Sequence, residues 1–213
     1  MSTLPPAGIS PAEFFERFVP QAFQANPLPD EAKQLDLTLG FKLDGDGGGE
    51  WCAQLKGGAL AVSRAPTADA AFTVVQSVAD WRGALWEGRG GAFGKQSQAM
   101  FQPGAGAAAG GAMAPAALQQ LQMLRGLIRM VVTGGSGGDW SVGFKLGPGP
   151  IPDPPTTTVT VTAADAEALE RGELDPMQAF MSGRIQIAGD MTLLMQMQAI
   201  QMQAQAMAAA QKK

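Results

Sequence analysis

Histidine and tyrosine are both missing from the 213 residues. Imidazole is the usual general base, proton shuttle and metal ligand near neutral pH, so its absence removes Ser-His-Asp, Cys-His and zinc-protease chemistry. Carboxylates and lysines are left as the acid-base repertoire, and a catalyst is not expected. A single cysteine, Cys52, excludes an intrachain disulfide and any thiolate zinc cluster. Charged residues make up only 16% of the chain and the net charge is -4, so the basic footprint needed for nonspecific nucleic-acid binding is absent. No apolar run reaches the roughly 18 residues of a membrane span. The opening MSTLPPAGIS lacks the basic leader and apolar run of a secretory signal. The expectation is a soluble, cytoplasmic chain without metal or cofactor.

What is abundant is glycine, at 28 residues, and proline, at 15, which implies much irregular chain between elements. Ser10, Pro11 and Glu13 fit a capping box at the start of a helix carrying Phe14, Phe15 and Phe18 on one side, and Pro20 is expected to stop or kink it. Leu35, Leu37, Leu39 and Leu43 share one alternating phase, so a strand follows. DGDGGGE turns into a second strand near Trp51 to Leu55, and KGG turns into a third at Ala59 to Val62. A fourth strand is expected around Phe72 to Gln76, then a short helix opened by Asp80 or a neighbour and closed by Gly88. The GDGGG tract lacks the Lys-Ser or Lys-Thr ending of a phosphate loop and opens no helix, so it reads as a hairpin turn.

Three regions emerge: 1–93, a Gly/Ala/Gln-rich linker at 94–138, and 139–213. Within the linker, Leu118, Leu121, Leu124 and Ile128 follow helical spacing and predict a helix near 115–132. The third region repeats the order of the first. GFKL at 40–43 recurs at 143–146, and FTVVQSVADWRGALWEG parallels VTVTAADAEALERG in strand, acidic helix start, Leu and closing Gly. A degenerate internal duplication explains this, with the second copy lacking the EWCAQLKGGALAVSR hairpin and the two parts completing one fold.

The stretch GELDPMQAFMSGRIQIAGDM, residues 172–191, concentrates the most specific residues. Gly172 suits a left-handed helix end, and Asp175 with Pro176 opens a short helix carrying Ala179, Phe180 and Met181. RIQI alternates, and Asp190 caps a final helix whose Leu193, Met197, Ile200, Ala204 and Met207 form one uncharged stripe among glutamines. Methionine adapts to variable apolar shapes, so this helix suits a core lid or a lipid cover. Asp165, Glu167, Glu170 and Asp175 sit at helix starts and turns, which favours capping over paired-carboxylate catalysis.

These residues resemble the sterol carrier protein, or nonspecific lipid-transfer, domain. The pattern stands here as Gly172, Leu174, Asp175, Pro176, Ala179, Phe180, Met181, Gly183, Arg184, Ile185, Ile187, Gly189 and Asp190, with upstream likeness at 40–58 and 67–88. The resemblance implies an α+β fold: a curved, mainly antiparallel sheet covered by helices around an apolar tunnel. It implies noncatalytic binding and transfer of fatty acyl chains, sterols or phospholipids, with transient membrane contact. Candidates for the lipid cavity are Phe14, Phe18, Phe41, Trp51, Leu55, Trp81, Phe180, Met181, Ile185, Ile187, Leu194, Met197 and Ile200. Core packing and ligand contact overlap at all of them. Lys56 and Arg184 are candidates for a lipid head group, although solvated strand edges carry such residues routinely. The alternative is an interaction or enzyme-accessory module whose Met/Gln-rich final helix binds a partner or a second copy.

Overall fold

A computed structural model describes residues 4–25, 33–99, 120 and 122–210. They build one eight-stranded sheet, β1 (Leu37–Asp44), β2 (Gly49–Lys56), β3 (Ala59–Arg64), β4 (Phe72–Ser77), β5 (Gly126–Thr133), β6 (Trp140–Leu146), β7 (Thr157–Thr162) and β8 (Ile185–Gly189), in the order β3-β2-β1-β4-β6-β5-β7-β8. Helices α1 (Pro11–Glu13), α2 (Val19–Ala25), α3 (Val78–Trp86), α4 (Gly91–Ala99), α5 (Ala163–Glu170), α6 (Pro176–Met181) and α7 (Met191–Ala210) surround it. The architecture is the expected α+β class, with antiparallel pairing throughout except for β1/β4 and β5/β7.

Directly opposed residues share a face of a sheet. The register joins Trp51, Phe41, Val74, Phe144 and Ile128 in one row, and Trp140, Val132, Val161 and Ile185 in another. Both rows lie on the face that packs beneath the helices. The reverse face carries Cys52, Gly40, Thr73, Lys145 and Leu127 in a single row. Strand alternation therefore separates an apolar helix-covered face from a smaller, more polar one.

The two halves repeat a pattern of pairing. In each, a hairpin (β1/β2, β5/β6) is followed by a strand parallel to its first member (β4, β7), and then by a capped helix. Ser77 caps α3 by accepting from the Asp80 N–H at 2.9 Å, and Thr162 caps α5 by accepting from the Asp165 N–H at 3.1 Å. The GFKL repeat does not follow this correspondence. Its first copy lies in β1, parallel to β4, whereas its second lies in β6, antiparallel to both neighbours. Both copies nevertheless fix one loop. A side chain at Gly40 would meet Thr73 Oγ1 at 2.6 Å and Thr67 Cβ at 2.8 Å, and Lys145 donates to the Thr67 carbonyl.

Three expectations are corrected. The helix near 115–132 is replaced over 126–133 by β5: GLIRMVVT alternates, its β-branched residues suit a pleat, and Gly126 at φ +143° leaves helical geometry. The 101–119 segment and Leu121 lie outside the described residues. The proposed linker also gives up its beginning to α4, where the Gln98 side chain donates to the Ala84 and Leu85 carbonyls. Pro20 does not end the first helix. A π-helical stretch, Phe14–Phe18, lets the Val19 N–H reach the Phe14 carbonyl, and the chain continues as α2 through a residue that has no N–H to donate.

Candidate functional site

The candidate residues divide among several places. Phe14, Phe18, Phe41, Trp51 and Trp81 converge with Phe15, Leu43 and Leu85 over β1 and β2. Phe15 stacks on Trp51 with centroids 4.9 Å apart and an interplanar angle of 21°, and Phe14 meets Trp81 edge-on at 5.1 Å. Trp51 is 0% exposed and Phe14 1%. The polar handles are satisfied: Trp51 Nε1 donates to Glu16 at 2.9 Å, and Trp86 Nε1 donates to the Pro5 carbonyl at 3.0 Å. Aromatic rings thus fill this end of the molecule with one another. A hollow of about 200 Å³ beside them is lined by Pro5, Ile9, Glu13, Arg17, Phe18 and Gln21. It is charged and below the usual size of a ligand pocket.

Leu55 belongs to a separate cluster with Leu35, Phe23 and Leu60 near the β3 edge. Ile185 packs with Val132, Trp140, Val161 and Ala166 under α5. Leu194 and Met197 meet Ile128, Leu146 and Leu193, flanked by Phe72, Leu124 and Val159. Ile187 and Ile200 are half-buried. Phe180 and Met181 depart from the expectation of a cavity lining, with exposures of 36% and 78%. The short α6 buries Ala179 instead and turns these two outward.

Beneath α7 the chemistry is therefore apolar and mainly aliphatic, with Phe72 as an aromatic member. Leu193 reaches so far inward that a side chain at Gly126 would meet its Cδ2 at 2.7 Å. Asp190 Oδ1 accepts from the Thr192 N–H at 2.7 Å and starts the helix, and Gln203 accepts from Gln120 at 3.2 Å. No charged residue occurs from 191 to 210. Phe15, Ile128, Leu146 and Leu193 are missing from the candidate set. The alternation of GLIRMVVT would have exposed Ile128, and Leu193 begins the uncharged stripe.

The two head-group candidates are far apart in strand order. Lys56 ends β2 and pairs with Asp36 at 3.6 Å, whereas Arg184 precedes the terminal strand β8 and pairs with Asp165 at 3.0 Å. They do not form one site.

The reverse face holds the other chemically distinctive group. Lys145, 1% exposed, gives its ammonium protons to the carbonyls of Thr67, Ala68 and Gly149 at 3.2, 3.3 and 2.8 Å. Burial lowers its pKa, while Asp69 and Glu50 oppose that shift. The Thr67 backbone N–H holds the Glu50 carboxyl below the usual carboxylate range. Burial pushes the Cys52 thiol up, away from nucleophilic thiolate. Every proton of this lysine is engaged with the backbone, so its work is to pin the loop around residues 67–68 and the chain at Gly149 onto the sheet. Among the described residues no group of three His, Cys, Asp or Glu side chains is arranged to hold a metal.

Among solved structures, Sterol Carrier Protein 2 Like 2 from Aedes aegypti is 22% identical over 33% of this chain and 68% of its own, with a TM-score of 0.27. The sterol carrier protein domain 2 of Helicoverpa armigera is 24% identical over 45% of this chain and 79% of its own, with a TM-score of 0.33. Sterol Carrier Protein 2 from Yarrowia lipolytica, in its apo form, is 17% identical over 45% and 84%, with a TM-score of 0.32. No curated protein matches the chain. The upstream stretches 40–58 and 67–88 lie outside the family match, which spans 109–202. That segment, which contains β5 to β8 and the start of α7, matches the model of the SCP-2 sterol transfer family.

Proposed function

We propose that this chain is a noncatalytic lipid carrier that holds an acyl chain or sterol between α7 and strands β4 to β7, where apolar side chains come from both sides. The observation that carries this reading is the uncharged α7, whose Leu193, Leu194 and Met197 face Ile128, Leu146, Phe72 and Val159 within or beside the family segment. Each buried methylene is worth about 0.8 kcal/mol, so a chain of roughly sixteen carbons supplies on the order of 10 kcal/mol before ordering costs. That energy has no direction, so broad lipid tolerance follows. α7 is joined to the sheet through aliphatic contacts, and its outward movement would open the space to a membrane. The repeated pairing and capping in the two halves further suggest an internal duplication in which the family-like half carries the ligand.

The test compares native and denatured masses of gently purified protein, with organic extraction of the difference, followed by uptake of a fluorescent fatty acid. Near-stoichiometric acyl lipid or sterol is expected. Met197→Trp, which fills the space, should weaken uptake at least tenfold, whereas Met195→Trp on the exposed side of α7 should not. An empty protein that takes up no fluorescent lipid would overturn the reading. It would favour an accessory module instead, for which Met195 and Met202, exposed at 66% and 70%, offer an adaptable partner surface.

A further inference from the structure

The sheet ends in β3 and β8, and helical residues lie against both, α2 and the Phe14–Phe18 stretch against β3 and the short α6 against β8. β8 pairs with β7 on one side and, among the described residues, with no strand on the other. An edge strand presents unpaired N–H and C=O groups, and proteins usually blunt such edges with charge, proline or a bulge. IQIAG, residues 185–189, contains neither charge nor proline. Large apolar side chains gather beside it in the chain. Phe180 and Met181 precede the strand at exposures of 36% and 78%, and Met191 and Met195 follow it at 43% and 66%. α7 packs through Leu193 on Ile128 and Leu146, which lie on strands inside β7.

We propose that the open edge of β8 pairs antiparallel with β8 of a second copy, about a two-fold axis through Ile187. The charges select this register. Centred on Ile187, Gln186 opposes Ala188, Ile185 opposes Gly189, and Arg184 opposes Asp190, so two opposite-charge pairs close the ends of the ribbon. Shifting the axis by half a residue or by one residue either way places Arg184 against an uncharged residue. Both charged groups are accessible: the Arg184 side chain is 53% exposed while paired to Asp165, and Asp190 is exposed. An isologous contact of this kind requires a self-complementary patch, and an uncharged strand with Arg at one end and Asp at the other meets that requirement. Five paired residues bury less than the roughly 1,200–2,000 Å² of a standard interface. The exposed Met and Phe side chains on both flanks supply the remaining apolar area. This surface uses the exposed side of α7, whereas the lipid site uses the side that faces the sheet.

Sedimentation of the full chain over a wide concentration range tests the proposal. The expected result is a species of twice 22.0 kDa at high concentration, dissociating on dilution. Gln186 and Ala188 are both exposed and oppose each other across the axis, so paired substitutions read the register directly. Q186K/A188K places lysine against lysine and should weaken association at least tenfold. Q186E/A188K places glutamate against lysine and should restore or strengthen it. Circular dichroism and melting temperature should be unchanged in both. A wild-type chain that stays monomeric into the hundreds of micromolar would overturn the proposal, as would a dimer whose affinity responds equally to both variants.

Discussion

The two halves of the sheet are closed by covers of opposite design. Over β1 and β2 the cover is aromatic and locked: Phe14, Phe15, Trp51 and Trp81 interlock at centroid distances near 5 Å, and the indole of Trp51 is tied to Glu16. Over β5 and β7 it is an uncharged helix rich in Met, Ala and Gln, whose inward contacts are mainly aliphatic, with Phe72 beside them. Rings with fixed edge and face preferences specify one arrangement, whereas methionine and leucine tolerate several. The molecule thus joins a rigid end to an adaptable one through β4 and β6. Trp140 locks that seam by donating from Nε1 to the Asp80 carbonyl at 2.8 Å.

The largest expected effect comes from breaking the aromatic end. Trp51→Ala should cost about 3–5 kcal/mol, because the site is surrounded by rings that cannot collapse into the void and Glu16 loses its donor. Leu193→Ala, the matching cut at the adaptable end, should cost about 2–3 kcal/mol, the low side of the range for buried leucine, because neighbouring methionines can relax inward. Thermal and urea unfolding check both values. Equal losses would remove the distinction between the two covers.

Next in size is the pin on the reverse face. Lys145→Met keeps the length of the side chain but leaves the carbonyls of Thr67, Ala68 and Gly149 without their donor. The relief of a buried charge offsets part of that loss, and a net destabilisation of about 1–3 kcal/mol is expected from unfolding curves. Hydrogen exchange should rise first in the loop around Thr67, not beneath α7.

Both covers were partly legible in the chain. The capping box at Ser10, the alternation from Leu37 to Leu43, and the Asp175–Pro176 helix start are local signals, and the fold keeps them because tertiary packing agrees with each. The reading of 115–132 as a helix failed where two periods competed. Leu121, Leu124 and Ile128 match a helix, while Leu127, Arg129 and Val131 alternate with Ile128, Met130 and Val132, and pairing with β6 and β7 favoured the strand. The aromatic cluster was found because burying large rings is nearly obligatory. The inward expectation for Phe180 and Met181 rests on the resemblance of the Ala-Phe-Met motif, whereas a six-residue helix on the sheet margin has too little inner surface to bury both. The role of Lys145 had no sequence signal, since its partners are backbone carbonyls.

A smaller effect examines whether the halves repeat energetically as well as in pairing. Ser77 and Thr162 each accept from the N–H three residues on and each donate to that residue's carboxylate, Asp80 at 2.9 Å and Asp165 at 2.8 Å. Ser77→Ala and Thr162→Ala should each cost about 1 kcal/mol, the ordinary value of an N-cap. A clearly larger loss for Ser77 would show that the seam is coupled to its cap, because Asp80 also accepts from Ser141 at 3.3 Å.

The finest distinction is in pH. Glu50 accepts from the Thr67 N–H at 2.8 Å and from Thr67 Oγ1 at 2.9 Å, which holds its folded carboxyl below the ordinary 4.5. A depressed folded pKa means that the unfolded chain takes up the proton first, so this contribution is complete above the unfolded value and disappears as pH falls through the folded one. Glu50→Gln is neutral throughout. Its melting temperature should trail the wild type at pH 7 and approach it as the pH drops below about 4. Glu173, also held low by Arg171, is a fully exposed counterpart in the other half, so salt should erase its influence. The partly screened Glu50 contact, backed by a backbone donor, should keep its acid dependence in high salt. A Glu50→Gln difference that vanishes with added salt would place that contact with the surface pairs and remove it from the bonds that hold the reverse-face loop.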